Sequence, residues 1–238
     1  MSYLGFTKIL CRDFLKHFTN PRILEIGIEW GQTALPLISN LSNLFDEFTY
    51  VGIAVKVRGI VREQLSQLMD VRLNLMGDEK GKKNVDIYEV NSLDWLHANK
   101  ESGQKFDLIL LDGDHNFYTV YHELNMLKYF MHEHTMIVCD DYQGKYADTD
   151  LFYCEREEYK NNEYLRSPIR LESQGVGTAI NYYVNNIDDS LKISTCGPLE
   201  PCFVYNKDAI KITTKALGDK MRDSIVDFTF YDKEKETI

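Results

Sequence analysis

The chain has 238 residues, of which 44% are hydrophobic and 27% charged, a balance that excludes disordered, collagen-like and low-complexity proteins and suits one large α/β domain. With 27 Lys and Arg against 37 Asp and Glu, the net charge of −10 excludes long nucleic acids as partners, because their binding rests on a basic face that neutralises phosphates. No apolar run reaches the ~18–20 residues that cross a bilayer, so no membrane partner is expected.

Lys8, Arg12, Asp13 and Lys16 interrupt the apolar start, which therefore does not read as a secretory signal. Residues 8–18 read instead as a helix, with Ile9, Leu10, Phe14, Leu15 and Phe18 on one side. Arg22–Ile26 is a short buried strand that runs into Gly27, and residues 32–44 form a helix that tolerates Pro36 only within its first turn. A second strand follows over 49–54 and a helix over 60–69. The basic stretch Lys80-Gly-Lys82-Lys83 reads as a solvated loop. Residues 85–90 alternate as a third strand, and 92–99 form a short helix capped by Asn91 or Ser92. Phe106–Leu111 is the clearest central strand; a helix over 117–131 shares one face through Val120, Leu124, Leu127 and Phe130, and 135–139 is the fifth strand.

Five strand–helix alternations predict a doubly wound, mostly parallel sheet with helices on both faces. Residues 143–173 are polar, rich in Tyr and Glu and without a period, and read as an insertion at the sheet's edge. A helix over 175–186 and strands over 191–195 and 201–205, joined by a turn at Gly197-Pro198, complete the domain. The tail from about residue 208 is charged and ends in a strand-like 225–231, an apolar stretch that offers a contact for a homodimer. The five cysteines (11, 139, 154, 196 and 202) include no C-x-x-C, and Cys196 and Cys202 have no histidines at zinc spacing. Reduced thiols, and with them a cytoplasmic protein, are expected.

In an open parallel sheet, ligands sit beyond the carboxyl ends of the strands. The first strand is followed by Glu25-Ile-Gly27-Ile-Glu-Trp-Gly31. Its two glycines let backbone approach a ligand, and the following helix N-terminus favours an anionic group, although a strand-to-helix turn also wants glycine for itself. The fourth strand ends in Asp112-Gly-Asp-His115 and the fifth in Asp140-Asp141-Tyr142. Carboxylates gathered at one rim repel unless a cation or raised pKa values intervene, and oxygen ligands with one histidine suit Mg²⁺, Mn²⁺ or Ca²⁺ better than zinc.

The order and spacing of Leu24-Glu-Ile-Gly27-x-x-x-Gly31, Phe106-Asp-Leu-Ile-Leu-Leu-Asp112-Gly-Asp-His115 and Ile137-Val-Cys-Asp140-Asp141-Tyr142 resemble the class I S-adenosylmethionine-dependent methyltransferases. They are most similar to the divalent-metal-dependent O-methyltransferases that act on sugars and natural products. The resemblance spans about residues 20–205. It implies a Rossmann-like, seven-stranded sheet whose last strand is antiparallel, forming a single domain over 1–238 with a lid at about 143–173 and an extension at about 208–238.

The resemblance also implies roles. Glu25, Gly27 and Gly31 would hold the methionine part and ribose of S-adenosylmethionine, and Asn91 and Ser92 would meet its adenine. Asp112, which also borders the cofactor, would hold Mg²⁺ or a similar cation together with Asp140 and Asp141, and His115 or Asp112 would take the proton of a hydroxylated small-molecule acceptor. One position departs from the pattern: the second strand ends on Ala54, where the family carries an acid for the ribose hydroxyls, and Glu29 and Lys56 are the polar residues within reach through the loops. A protein that keeps the fold but only binds is the alternative. A nucleotide-linked oxidoreductase fits less well, because it wants G-x-G-x-x-G and an acid ending the second strand.

Overall fold

A computed structural model describes residues 3–76, 83–195 and 201–207. Seven strands, β1 (Arg22–Ile26), β2 (Phe48–Ala54), β3 (Lys83–Glu89), β4 (Leu108–Leu111), β5 (Met136–Cys139), β6 (Leu191–Thr195) and β7 (Cys202–Asn206), form one sheet in the order β3-β2-β1-β4-β5-β7-β6. Strands β1 to β5 pair in parallel. β7 alone runs against its neighbours, β5 on one side and β6 on the other, so the last strand is antiparallel as expected.

The sheet is buried on both faces because its inner strands are mostly apolar, β4 and β5 at every position. Ile23, Leu108 and Leu110 face one layer with Leu37, Leu41 and Val61. Their neighbours Leu24, Ile109 and Leu111 face the opposite layer with Leu96, Leu124 and Ile180. The first layer is α1 (Tyr3–Ile9), α2 (Ala34–Leu44) and α3 (Gly59–Met76), and the second is α4 (Ser92–Asn99), α5 (Phe117–Leu127) and α6 (Val176–Asn186). Only the outer strand β3 alternates between half-buried and exposed positions, as an edge does.

Several boundaries move from the sequence reading. The first helix begins at Tyr3 and continues as a π turn (Leu10–Phe14) and a 3₁₀ turn (Leu15–His17). Adjacent pairs Leu10-Cys11 and Phe14-Leu15 are all buried there, more than one regular helical stripe accommodates. α3 extends to Met76, since neither Gly nor Pro interrupts it before Gly77. α5 stops at Leu127, and the Phe130 carbonyl turns back to accept from the Phe106 amide at 2.9 Å, which takes Phe106 out of the strand ladder. Pro36 falls in the first turn of α2, where no intrahelical donor is lost.

Most of the basic stretch (residues 80–82), the Gly197-Pro198 turn with Cys196, and the tail from 208 with its 225–231 strand and dimer contact lie outside the described residues. Among the described residues no helix is long and apolar enough to cross a membrane.

For function, the useful feature is where the winding reverses. β1 and β4 are neighbours, while the chain runs outward from β1 to β3 before returning to β4. The turns after β1 and β4 therefore diverge at one rim and leave a crevice between them.

Candidate functional site

The glycine turn after β1 forms the floor of this crevice. Gly27 has φ 108 and donates its amide to the Ile53 carbonyl at 2.8 Å. A Cβ there would lie 1.7 Å from the Asp112 carbonyl oxygen, so glycine is required by the passage of the β4 loop alone. Gly31, at φ 65, closes the turn on the Ile28 carbonyl at 2.9 Å, and its own carbonyl receives the Leu35 amide as α2 begins. Above this floor is a cleft of about 230 Å³ that runs from Asp112 and His115 past Gly27, Gly31 and Ala54 to Asn91 and Ser92.

At one end three side chains converge. Single ligand atoms of Asp112, His115 and Asp141 all lie within 4.8 Å of one another. His115 Nδ1 pairs with the Asp141 carboxylate, and the imidazole packs against the rings of Tyr146 and Tyr153, at centroid distances of 5.2 and 5.5 Å. The sequence-derived set had Asp140 in the place that His115 occupies. Among the described residues Asp140 is not part of that convergence. Asp141 adopts φ 53 and turns toward His115, whereas Asp140 lines a small recess with Glu25, Thr33 and Asp112.

The other sequence-derived residues line the cleft, but much of their side-chain capacity is already used. Glu25 is 3% exposed, accepts from the Tyr50 hydroxyl at 2.8 Å, and has its pKa pushed up to about 7 by burial. Asn91 caps α4 by accepting from the Leu93 amide at 3.0 Å and donates to the Tyr164 carbonyl at 3.1 Å. Ser92 donates its hydroxyl to Glu123 at 2.5 Å. A ligand at that end therefore meets backbone more than these side chains.

Glu123 escaped the sequence reading, although an acid at position 123 stands on the apolar stripe of Val120, Leu124 and Leu127. It is fully buried, and burial pushes its pKa up to about 8, with the nearby Asp114 adding to the rise. Asp114 accepts from Asn116 Nδ2 at 2.5 Å and Thr119 Oγ1 at 3.0 Å, and burial raises its pKa too. The folded state thus keeps a proton on Glu123 that the unfolded chain releases above the ordinary value of 4.5. Stability should fall as pH rises from about 4.5 to about 8 and then level off. Glu123→Gln keeps an acceptor for Ser92 and does not ionise. Its melting temperature, compared with the wild type at about pH 5 and about pH 9, should drop less between the two.

Residues 143–173 form a strap rather than a regular element. Asp150 Oδ1 accepts from the Phe117 amide at 2.8 Å and from the Gly175 amide at 2.7 Å, pinning the strap's root to the starts of α5 and α6. Two 3₁₀ turns, Tyr153–Glu155 and Glu157–Tyr159, then carry it across the cleft. Tyr159 donates its hydroxyl to Glu29, Asn162 Nδ2 donates to the Val55 carbonyl at 2.7 Å, and Arg166 pairs with Asp94. Tyr153 and Leu165 line the cleft from above. The strap covers the β2 and β3 ends as well as the His115 end.

Comparison with known proteins agrees with this architecture. A family model described as a methyltransferase domain matches residues 24–142, half of the chain. Among solved structures, CalS11, a TDP-rhamnose 3′-O-methyltransferase of calicheamicin biosynthesis, shares 13% identity at a TM-score of 0.56 over 86% of this chain and 79% of its own. The SAH-bound Podospora anserina methyltransferase PaMTH1 shares 16% identity at a TM-score of 0.52 over 86% of this chain and 78% of its own. At these identities the likeness is one of fold. No curated protein matches the chain by sequence.

Proposed function

The chain belongs to the methyltransferase-domain family, and from that premise we propose that it transfers a methyl group from S-adenosylmethionine to a hydroxyl of a small molecule, a sugar or sugar-bearing natural product, with help from a divalent cation such as Mg²⁺. The observation that carries this reading is the convergence of Asp112, His115 and Asp141 at the rim of the glycine-floored cleft. The sugar acceptor is supported by the fold shared with CalS11, as an analogy.

The residues present fit both groups. Gly27 and Gly31 give a floor without side chains, Gln32 and Thr33 at the start of α2 line the cleft where amide donors suit a carboxylate, and Asn91 and Ser92 close its far end. Two carboxylates from adjacent strands suit a cation of the Mg²⁺ class, which keeps several positions for water and substrate. Bound there, the cofactor would supply an electrophilic methyl carbon and the cation would lower the pKa of the acceptor hydroxyl.

The chain's own groups then have distinct tasks. Asp112 and Asp141 would hold the cation from β4 and β5. His115, anchored through Nδ1 to Asp141 and held between two tyrosine rings, keeps Nε2 for the proton that leaves the acceptor oxygen. Tyr153 and the strap exclude water from the reacting groups.

The test is transfer of labelled methyl to a panel of sugar nucleotides and phenols, with and without a chelator. Transfer to oxygen that is lost on chelation and restored by Mg²⁺ is expected. Transfer to nitrogen, or transfer indifferent to chelation, would overturn the reading at those points. Ala54 at the end of β2 favours a second reading, a catalytically degenerate member that keeps the fold and acts as a binding or interaction module. No transfer across the panel together with weak or absent S-adenosylhomocysteine binding would support it.

A further inference from the structure

In nucleotide-binding sheets of this kind an acid at the end of the second strand accepts from the ribose hydroxyls. Here β2 ends on Ala54, which has nothing to offer them. Glu29 stands at the same corner, coming from the neighbouring β1–α2 turn. It lines the cleft beside Ala54, Val55 and Lys56, and its backbone carbonyl accepts from the Arg58 amide at 3.1 Å, which ties the two loops together.

The carboxylate of Glu29 is only 18% exposed and is held by two donors, of which Tyr159 also lines the cleft. The Arg58 guanidinium pairs with one oxygen and the Tyr159 hydroxyl bonds the other. Arg58 is itself fixed over the Trp30 ring at 4.2 Å. A carboxylate has about four acceptor positions; Oε1 is shut off from the surface beside Arg58, so the capacity left for a ligand is on Oε2. Lys56, the other polar group at this corner, is a donor only; its ammonium lies over the Tyr159 ring at 5.3 Å and 3.5 Å from the Glu158 carbonyl.

We propose that Glu29 takes over the role that β2 lacks and accepts hydrogen bonds from the ribose hydroxyls of the cofactor, with Arg58 and Tyr159 fixing its carboxylate under the strap. The proposal rests on the cofactor reading above. It makes the strap part of cofactor recognition, because Tyr159 and the ribose share one carboxylate.

Calorimetric titration with S-adenosylhomocysteine and its 2′,3′-dideoxy analogue tests it on the wild type, Glu29→Gln and Glu29→Gln/Ala54→Asp. Charge-assisted bonds of this kind are worth about tenfold or more in affinity. Either the amide or the missing hydroxyls should weaken wild-type binding by that factor, and the two combined should cost little more than one. Ala54→Asp should restore part of the loss for the hydroxylated ligand alone. Losses that simply multiply, or a Glu29→Gln variant that binds as tightly as the wild type, would overturn the assignment. A wild type that does not bind S-adenosylhomocysteine would overturn the cofactor reading itself. If the amide unsettles the loop, as its melting temperature would show, Glu29→Asp against the same two ligands carries the comparison.

Discussion

Replacing Gly27 by alanine should abolish binding in the cleft and destabilise the protein by roughly 3 kcal/mol or more. Two effects act together. The backbone there sits at φ 108, which L side chains resist, and the added methyl would lie 1.7 Å from the Asp112 carbonyl oxygen. That atom is backbone, so the whole β4 loop must move away, and Asp112 and His115 move with it. Gly59→Ala is the matching control. Nothing lies within 4 Å of a Cβ at that position, which opens α3, so the change should be neutral or mildly stabilising. Thermal melts of the two variants, followed by titration with S-adenosylhomocysteine, separate a local collapse of the site from a general intolerance of alanine.

Asp141→Asn and Asp112→Asn should each lower cation-dependent transfer by about 100-fold or more. Binding of S-adenosylhomocysteine should change much less if its adenosine lies, as proposed, at the Asn91 and Ser92 end of the cleft. Asparagine tolerates the left-handed backbone of Asp141 well, so that variant removes charge without forcing the loop. Asp140→Asn distinguishes the two candidate trios. Asp140 stands outside the converging trio, in a recess that adjoins the cleft at Asp112, and the substitution should cost far less than either of the others. An Asp140 variant as inactive as the Asp141 variant would restore the all-aspartate set.

The sheet was legible because its inner strands bury both faces: runs such as Leu108–Leu111 carry apolar residues at every position, a pattern distinct from the helices between them. The first helix was harder, since its π and 3₁₀ turns follow from tertiary packing of adjacent buried residues and not from a period. The strap was legible as an insertion over 143–173, but its course was not. Its course is set by side chain–backbone bonds from Asp150, Asn91 and Asn162, each joining residues far apart in sequence. Within the site, Gly27, Gly31 and Asp112 could be read from their places after β1 and β4. The pairing of His115 with Asp141 depends on the backbone twist at Asp141, for which no local motif exists. Glu123 did leave a trace, as an acid on an apolar helical stripe.

These observations describe a cleft with two chemically different ends under one strap. The Asn91 and Ser92 end presents backbone and capped helix, and the Asp112, His115 and Asp141 end presents charge. Glu29 lies between them, joined to the strap through Tyr159. With the ribose at Glu29, as proposed, that arrangement would tie cofactor capture to the placement of the groups that act on an acceptor.

A crystal structure grown with S-adenosylhomocysteine and Mn²⁺, the ion located by its anomalous scattering, tests the assignment most directly. The product should lie beneath the strap with its ribose at Glu29, and the manganese peak should sit within ligand distance of Asp112 and Asp141. A manganese ion bound elsewhere, with the cleft closed by protein atoms, would contradict it.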